Sequence, residues 1–448
     1  MSAALLVAVL LAALLAQAVW PQARLLILTL GAAVSGLLAT LTGTSGMQQL
    51  LAGVPWGVLV MVVALGLLAE MLAMSRLFGV LAGLAVRATG ADPRLLLIAC
   101  AGGMFLVSGL VNNLTALVLV LPPVMVVLQL IGADRRYASW MLGLMIVACN
   151  LGGASTPIGD FPAILLLGSG VISFGDYLVA AMPVCAVAMA AIIVTTALWI
   201  RPWRGTEGSA IATRIAISTM DGMYRRVHVD WKVLAPAALM LAGMIVAWAV
   251  VPGISGVTSE LICWLGVIAA LIGRARIGER LLRTRVDVEA VLFLLALFIM
   301  VGAVRATGAF EHLAGWLAAL PLAADLKLAL LTVVAGLATG VFSAGPSMAA
   351  LLEVAPALSG QLPATAIYVG LAMGVCAGSS LLLTAATSGP LAQSMVDRAG
   401  LVDAQGRQIR FGFTEYLPIG LMGSAIILAV GVGAVLVLAE VAPRLGLP

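Results

Sequence analysis

The chain has 448 residues, of which 63% are hydrophobic and 9% charged, with a formal net charge of +4. A soluble domain of this length needs no such apolar excess, so the composition excludes a soluble enzyme or nucleic-acid binder and implies a polytopic membrane protein. The cysteines (Cys100, Cys149, Cys185, Cys263, Cys376) lack C-x-x-C spacing and the histidines (His228, His312) lie far apart, so neither a disulfide framework nor a zinc site is expected.

A crossing takes about 20 apolar residues at about 1.5 Å each. The opening run MSAALLVAVLLAALLAQA ends like a signal peptide but has no basic n-region, so it reads as a first transmembrane helix over 3–20. Ordinary spans follow at 25–43 and 56–75. Residues 95–131 are too long for one crossing and turn at SGLVNNLTAL, where Asn112 and Asn113 suit a tight turn and Thr115 follows; a helical hairpin is expected. The stretch 140–170 is a crossing interrupted at NLGGASTPIGDFP. Spans at 176–200, 233–251, 256–273 and 288–308 come next. A second hairpin, 327–358, turns at FSAGPSMAAL and carries Glu353 in its second arm. A second interrupted crossing, 364–395, contains CAGSSLLLTAATSGP, and 416–440 is the last span. This gives ten crossings and two hairpins in an all-α fold.

Irregular backbone survives in a bilayer only where protein or a wet cavity satisfies it. Gly152, Gly153, Pro157, Gly159 and Pro162 predict an unwound strip over 152–162 that offers free carbonyls, free N–H groups and the Ser155 and Thr156 hydroxyls. Carbonyls bind sodium and helix N-termini bind anions. Asp160 is the only full negative charge in the strip. An acid at mid-bilayer costs about 2.5–3.5 kcal/mol, which makes it a functional candidate; the competing reading is an N-cap for the second half-helix. The second break offers Ser379, Ser380, Thr384, Thr387 and Ser388 without a charge, residues that serve either as ligands or as packing polar groups. Arg305 is expected to snorkel outward.

If each hairpin enters and leaves on one side, the connections at 21–24, 76–94, 132–139, 201–232, 274–287 and 397–413 share a face. That face holds all 23 Lys and Arg residues except Arg305, Lys327 and Arg444, and the positive-inside rule makes it cytoplasmic. The halves also match in order. ALGLLAEMLAMSRLFGVLAG answers ALFIMVGAVRATGAFEHLAG, GLMIVACNLGG answers GLAMGVCAGSS, and FGDYLVAAMP answers FTEYLPIGLM. Each half makes an odd number of crossings, so two inverted repeats are expected, the architecture of secondary transporters. The expected division is N-terminal helices 1–55, a first transport repeat 56–200, a basic cytoplasmic loop 201–232, two scaffold helices with a basic loop 233–287, and a second, inverted repeat 288–440.

The run N-L-G-G-x-S-T-x-I-G-D-x-P at 150–162, the block LFIMVGAVRATGAFEHLA and the hairpin VNNLTALVLVLPPV resemble the ArsB/NhaD-type permeases of the ion transporter superfamily, which have a CitT-like transporter domain. GDFP, CAGSS and EYLPIGLMG are most similar to the MamN magnetosome-membrane branch. The resemblance implies a scaffold and a mobile transport part, with substrate at the hairpin tips and broken helices: Asn112, Asn113, Thr115, Gly152, Gly153, Ser155, Thr156 and Asp160, with Ser343, Gly345, Ser347, Ser379, Ser380 and Thr384 in the second repeat. Cation-exchanging relatives carry an acid-Asn pair in each hairpin. This chain has Asn112-Asn113 and Ala344-Gly345, and Gly159-Asp160-Phe161-Pro162-Ala163 where G-D-P-P-N is common.

The expected function is secondary active ion transport by alternating access, as proton- or sodium-coupled exchange with Asp160 as coupling carboxylate. Transport of an arsenite-like oxyacid or a small organic anion is the second reading, and a non-transporting membrane scaffold the third. No ATP-binding motif or catalytic set is visible, so an enzyme is not expected, nor a cofactor, nor any metal beyond transported sodium. The implied partners are the transported ion or anion, the lipid bilayer and a second copy in a homodimer, with no nucleic acid. The expected location is the bacterial inner membrane, or alternatively a magnetosome membrane.

Overall fold

The computed structural model describes residues 2–90, 92–206, 228–251, 257–386, 388–403 and 405–445, with Ser218, Thr219 and Gly222. Most of the 201–232 loop, and Thr387, lie outside the described residues. Among the described residues the one β pairing is an isolated bridge between Val402 and Gln408; all else regular is helix.

Helices α1 (Ser2–Val19), α2 (Arg24–Leu41), the short α3 (Met47–Ala52) and α4 (Trp56–Met74) lead in. Then come α5 (Leu77–Thr89), the hairpin α6 (Pro93–Leu110) and α7 (Asn113–Leu130), the interrupted crossing α8 (Arg135–Ser155) and α9 (Phe161–Gly168), and α10 (Phe174–Thr195). α11 (Trp231–Val250), α12 (Ser259–Ile272) and α13 (Ala275–Thr284) join the halves. The order of the first half then recurs: α14 (Val288–Arg305), α15 (Ala309–Ala319), hairpin α16 (Ala324–Phe342) and α17 (Ala344–Val354), interrupted crossing α18 (Ala364–Leu381) and α19 (Ser388–Ala399), and α20 (Phe413–Val441). Among the described residues, eleven helices are long and apolar enough to span a bilayer, and both expected hairpins and both interrupted crossings are present. The short helices α5, α13 and α15 occupy stretches expected as connections or span ends.

Aspartates at the span ends serve as caps, because their carboxylates accept the N–H groups that a first helical turn leaves orphaned. Asp92 accepts from Leu95 N (2.9 Å), Asp134 from Tyr137 N (2.8 Å) and Asp287 from Ala290 N (2.9 Å).

The two interrupted crossings form the centre. Every residue from Tyr137 to Ser155 in α8, and from Thr365 to Ser380 in α18, is buried. Lipid can cover an apolar helix, but these two are covered by protein. α6, α10 and α20 pack on α8, while α16 and α20 pack on α18. The half-helices cross over: α9 packs on α17 of the second hairpin, and α19 on α7 of the first. A second group, α1 and α2 with α14, and α4 with α11 and α12, flanks this centre and meets it where α4 touches α9 and α14 touches α17.

Two expectations change. The helix α8 runs on through Gly152 and Gly153 to Ser155, so the break spans 156–160 rather than 152–162. The glycines serve close approach: a Cβ on Gly152 would lie 2.2 Å from Phe105 O, and one on Gly153 2.4 Å from Asn113 Oδ1. Arg305 does not simply snorkel; its guanidinium meets Glu353 Oε1 at 3.2 Å, joining α14 to the second hairpin.

Candidate functional site

The first hairpin turns on Asn112, whose side chain caps α7 by accepting Leu114 N (2.8 Å). Its tip is bonded to the first break, with Asn113 N donating to Gly159 O (3.2 Å) and Thr156 Oγ1 donating to Gly109 O (2.6 Å). The buried Ser108 hydroxyl contacts Asn113 Oδ1 and Cys149 O (2.7 Å); its single proton serves one of these acceptors at a time. Ser155 Oγ donates to its own helix at Gly152 O (2.7 Å). Hairpin tip and break are therefore one hydrogen-bonded unit, and the Asn113, Ser155 and Thr156 side chains are largely committed to holding it.

Asp160 ends the break. One carboxylate oxygen accepts Phe161 N at 2.8 Å, capping α9 with Pro162 in the first turn. None of the ion pairs among the described residues involves it. The carboxylate lines a narrow crevice of about 10 Å³ between the repeats, with Asn150, Tyr177, Ala344, Cys376 and Ser379 among its walls and no lysine or arginine.

A single amide ties the breaks together. Asn150 Nδ2 donates to Ser379 O (3.2 Å) and Ser380 Oγ (3.3 Å), while Ser388 Oγ donates to Asn150 Oδ1 (3.1 Å). The last carbonyls of the two first half-helices are held alike. Tyr177 Oη donates to Ala154 O and Tyr416 Oη to Ser380 O, both at 2.7 Å. These are the tyrosines of the matching Asp-Tyr-Leu and Glu-Tyr-Leu runs. A helix end buried in a membrane needs such donors, and each repeat supplies its own.

The second hairpin is different. Ser343 at its tip has φ 77° and ψ 158°, a region nearly confined to glycine that costs about 1–3 kcal/mol. Beside it, the buried hydroxyls of Thr339 and Ser347 have no hydrogen-bond partner. Ala344 faces the Asp160 crevice, while Ser343 and Thr384 line a separate vestibule of about 290 Å³ with Gln17, Arg24 and Glu289. Arg24 pairs with Glu289 at 3.4 Å across that vestibule. The pair Arg305–Glu353 lines another cavity at the opposite end of α14.

The structure thus unites Asn112, Asn113, Gly152, Gly153, Ser155, Thr156 and Asp160 around the first break, with Thr115 half-buried in the first turn of α7. It brings Ser379 and Ser380 to them through Asn150, and places Gly345 and Ser347 in the first turn of α17. Ser343 and Thr384 stay on the vestibule side. Asn150, Tyr177 and Tyr416 are the residues that site reasoning from sequence passed over as ligands or props, while Ser388, one of the second-break hydroxyls, bonds Asn150.

A family model described as citrate transporter, CitMHS, matches residues 3–378. The chain belongs to the CitMHS family. The magnetosome protein MamN of Paramagnetospirillum magneticum is 27% identical over 426 residues, covering 93% of this chain and 95% of that protein. MamN of Magnetospirillum gryphiswaldense is 25% identical over 92% of this chain and 94% of its own. An uncharacterized transporter of Mycobacterium tuberculosis is 25% identical over 78% of this chain and 80% of its own. The solved YdaH transporter of Alcanivorax borkumensis superposes with a TM-score of 0.58 over 90% of this chain and 88% of that one, at 18% identity, which speaks to the fold. This CitMHS protein is accordingly a multi-pass membrane transporter, as the ion-transporter-superfamily and MamN resemblances implied, and its family is one of transporters rather than enzymes.

Proposed function

We propose that this CitMHS protein is a secondary active transporter working by alternating access, with a proton or sodium ion coupled through Asp160. One observation carries the reading: a carboxylate at a helix break, capped by one neutral N–H, faces a crevice with no protein cation. Such a charge is stabilised in the membrane by a bound cation or a proton. The tip of the second hairpin stands between that crevice and the vestibule, with Ala344 on one side and Ser343 on the other, so its displacement opens a path. The repeats are inverted in this reading, and their half-helices crossing onto each other's hairpins support it. The moving part comprises the hairpins, α8–α10 and α18–α20, carried on the remaining helices.

A second substrate reading, a small organic anion moved with the cation, is favoured by the N-termini of α7, α9, α17 and α19 facing the breaks and tips, since helix N-termini attract anions. The family description as citrate transporter points the same way. Solid-supported-membrane currents from purified protein, stepped in sodium, pH and citrate or arsenite, test both. Currents driven by sodium or pH alone support cation exchange. Currents that need the anion support cotransport, and silence under every condition supports a scaffold.

A further inference from the structure

The first hairpin and the short helix α5 border a cavity of about 370 Å³ that the transport reading does not use. Its walls are apolar throughout: Phe78, Leu84 and Ala88 from α5, Cys100 and Leu106 from α6, and Pro123 from α7 are representative. The floor is sealed, since Phe78, Val86, Cys100, Val124 and Val127 are buried. The rim is open, for Leu81, Leu84 and Leu106 are 42%, 51% and 59% exposed. Small residues on membrane helices ordinarily let neighbours approach. Gly103 does the reverse: it lines the cavity, and a Cβ built on it would meet nothing within 4 Å. Pro122 and Pro123 inside α7 interrupt the hydrogen-bond ladder of the facing wall, where proline kinks a helix away from its neighbour.

The surroundings are basic. Arg76 and Arg87, both exposed, stand at the two ends of α5, and Arg94 is exposed at the start of α6. Of the exposed acids nearby, Asp92 caps α6, and Asp230, whose N–H donates to Ser75 O beside Arg76, caps α11; the Arg94 guanidinium lies 5.8 Å over the Trp203 ring. These arginines belong to the face that the charge distribution assigns to the cytoplasm, where anionic headgroups attract basic side chains.

We propose that this cavity binds one acyl chain of an anionic phospholipid, whose phosphate rests among the arginines flanking α5. The lipid is a wedge: α5 meets the hairpin partly through a fluid chain, so the hairpin can shift without opening a void in the hydrocarbon.

The test is photo-crosslinking of the purified full chain with phosphatidylglycerol or phosphatidylcholine carrying an acyl-chain diazirine, with adducts mapped by mass spectrometry. Phosphatidylglycerol adducts should concentrate on 78–88, 99–107 and 120–127. Substituting Gly103→Phe, which places a ring in space now empty, should displace them. Arg76→Gln with Arg87→Gln should lower the phosphatidylglycerol preference about fivefold per arginine while leaving phosphatidylcholine labelling unchanged. The comparison of the two lipids on the unaltered chain stands even if a variant folds poorly. Adducts spread evenly round the molecule for both lipids would overturn the proposal, as would crosslinks from this face to a second copy of the chain.

Discussion

Replacing Asp160 by Asn separates its two roles. The amide keeps an oxygen able to accept Phe161 N, now 2.8 Å from the carboxylate, and Asn caps about as well as Asp. The lost charge–dipole attraction is worth about 0.3–1 kcal/mol, and relief of a desolvated charge acts in the opposite direction. Net stability should change by about 1 kcal/mol or less, a shift of a few degrees at most. Cation binding is another matter. A monovalent ion about 4 Å from the carboxylate gains about 4 kcal/mol at an effective dielectric of 20. Its removal therefore weakens binding about a thousandfold. Solid-supported-membrane currents should lose their sodium or pH dependence in Asp160→Asn while the melting temperature holds. A variant that keeps coupled currents but melts much earlier would make Asp160 a structural cap and leave transport to dipoles and hydroxyls.

Asn150→Ala should destabilise by about 1–3 kcal/mol for each buried group left unpaired, since Ser388 Oγ, Ser380 Oγ and Ser379 O all lose their bond to it; an unchanged melting temperature would show that the breaks are not tied there. Single cysteines at Gln405 and Gly360, both exposed, should label from opposite faces in a cysteine-free background; labelling of both from one side would refute the inverted repeat. Burial opposes ionisation of Asp403 in the 400–412 loop, yet the N–H groups of Arg407 and Gln405 and the Arg407 guanidinium (2.8 Å) hold its carboxyl below the usual carboxylate range. Its contribution is therefore complete above the ordinary aspartate range and disappears as pH falls through the lowered folded value. Proteolysis of the loop should rise only in strong acid, and a rise already between neutral and mildly acid pH would contradict this.

The spans and hairpins were legible because bilayer thickness fixes the length of an apolar run, and because a misplaced turn would scatter the arginines over both faces. The breaks were legible in outline through Pro157, Gly159 and Pro162, but their edges were not. Gly152 and Gly153 read as unwinding in one dimension, whereas they let Phe105 and Asn113 approach a continuous helix. Periodicity carries no sign of a neighbour 47 or 40 residues away in the chain. Arg305 shows the same limit, since its partner Glu353 lies on another element. α5 was hidden by length, being apolar but too short to span, and α13 by its charges as well.

The tyrosines expose a finer limit. The Asp-Tyr-Leu and Glu-Tyr-Leu runs were visible as a repeat, and the cap itself was foreseeable in principle, because a broken membrane helix must find donors for its last carbonyls. The sequence also showed a charge at the first break and none at the second; what it could not show is the strained tip and unpartnered hydroxyls of the second hairpin. Each tyrosine bonds its own half-helix at the same 2.7 Å. Around these equal props, the first repeat presents a carboxylate in a crevice without counter-charge. The second presents a strained serine tip and two unpartnered hydroxyls. The common frame explains how both breaks persist in lipid. In the proposed reading, the unequal contents assign a cation to one repeat and a neutral or anionic group to the other, a division that a symmetric exchanger with an acid in each half would not need.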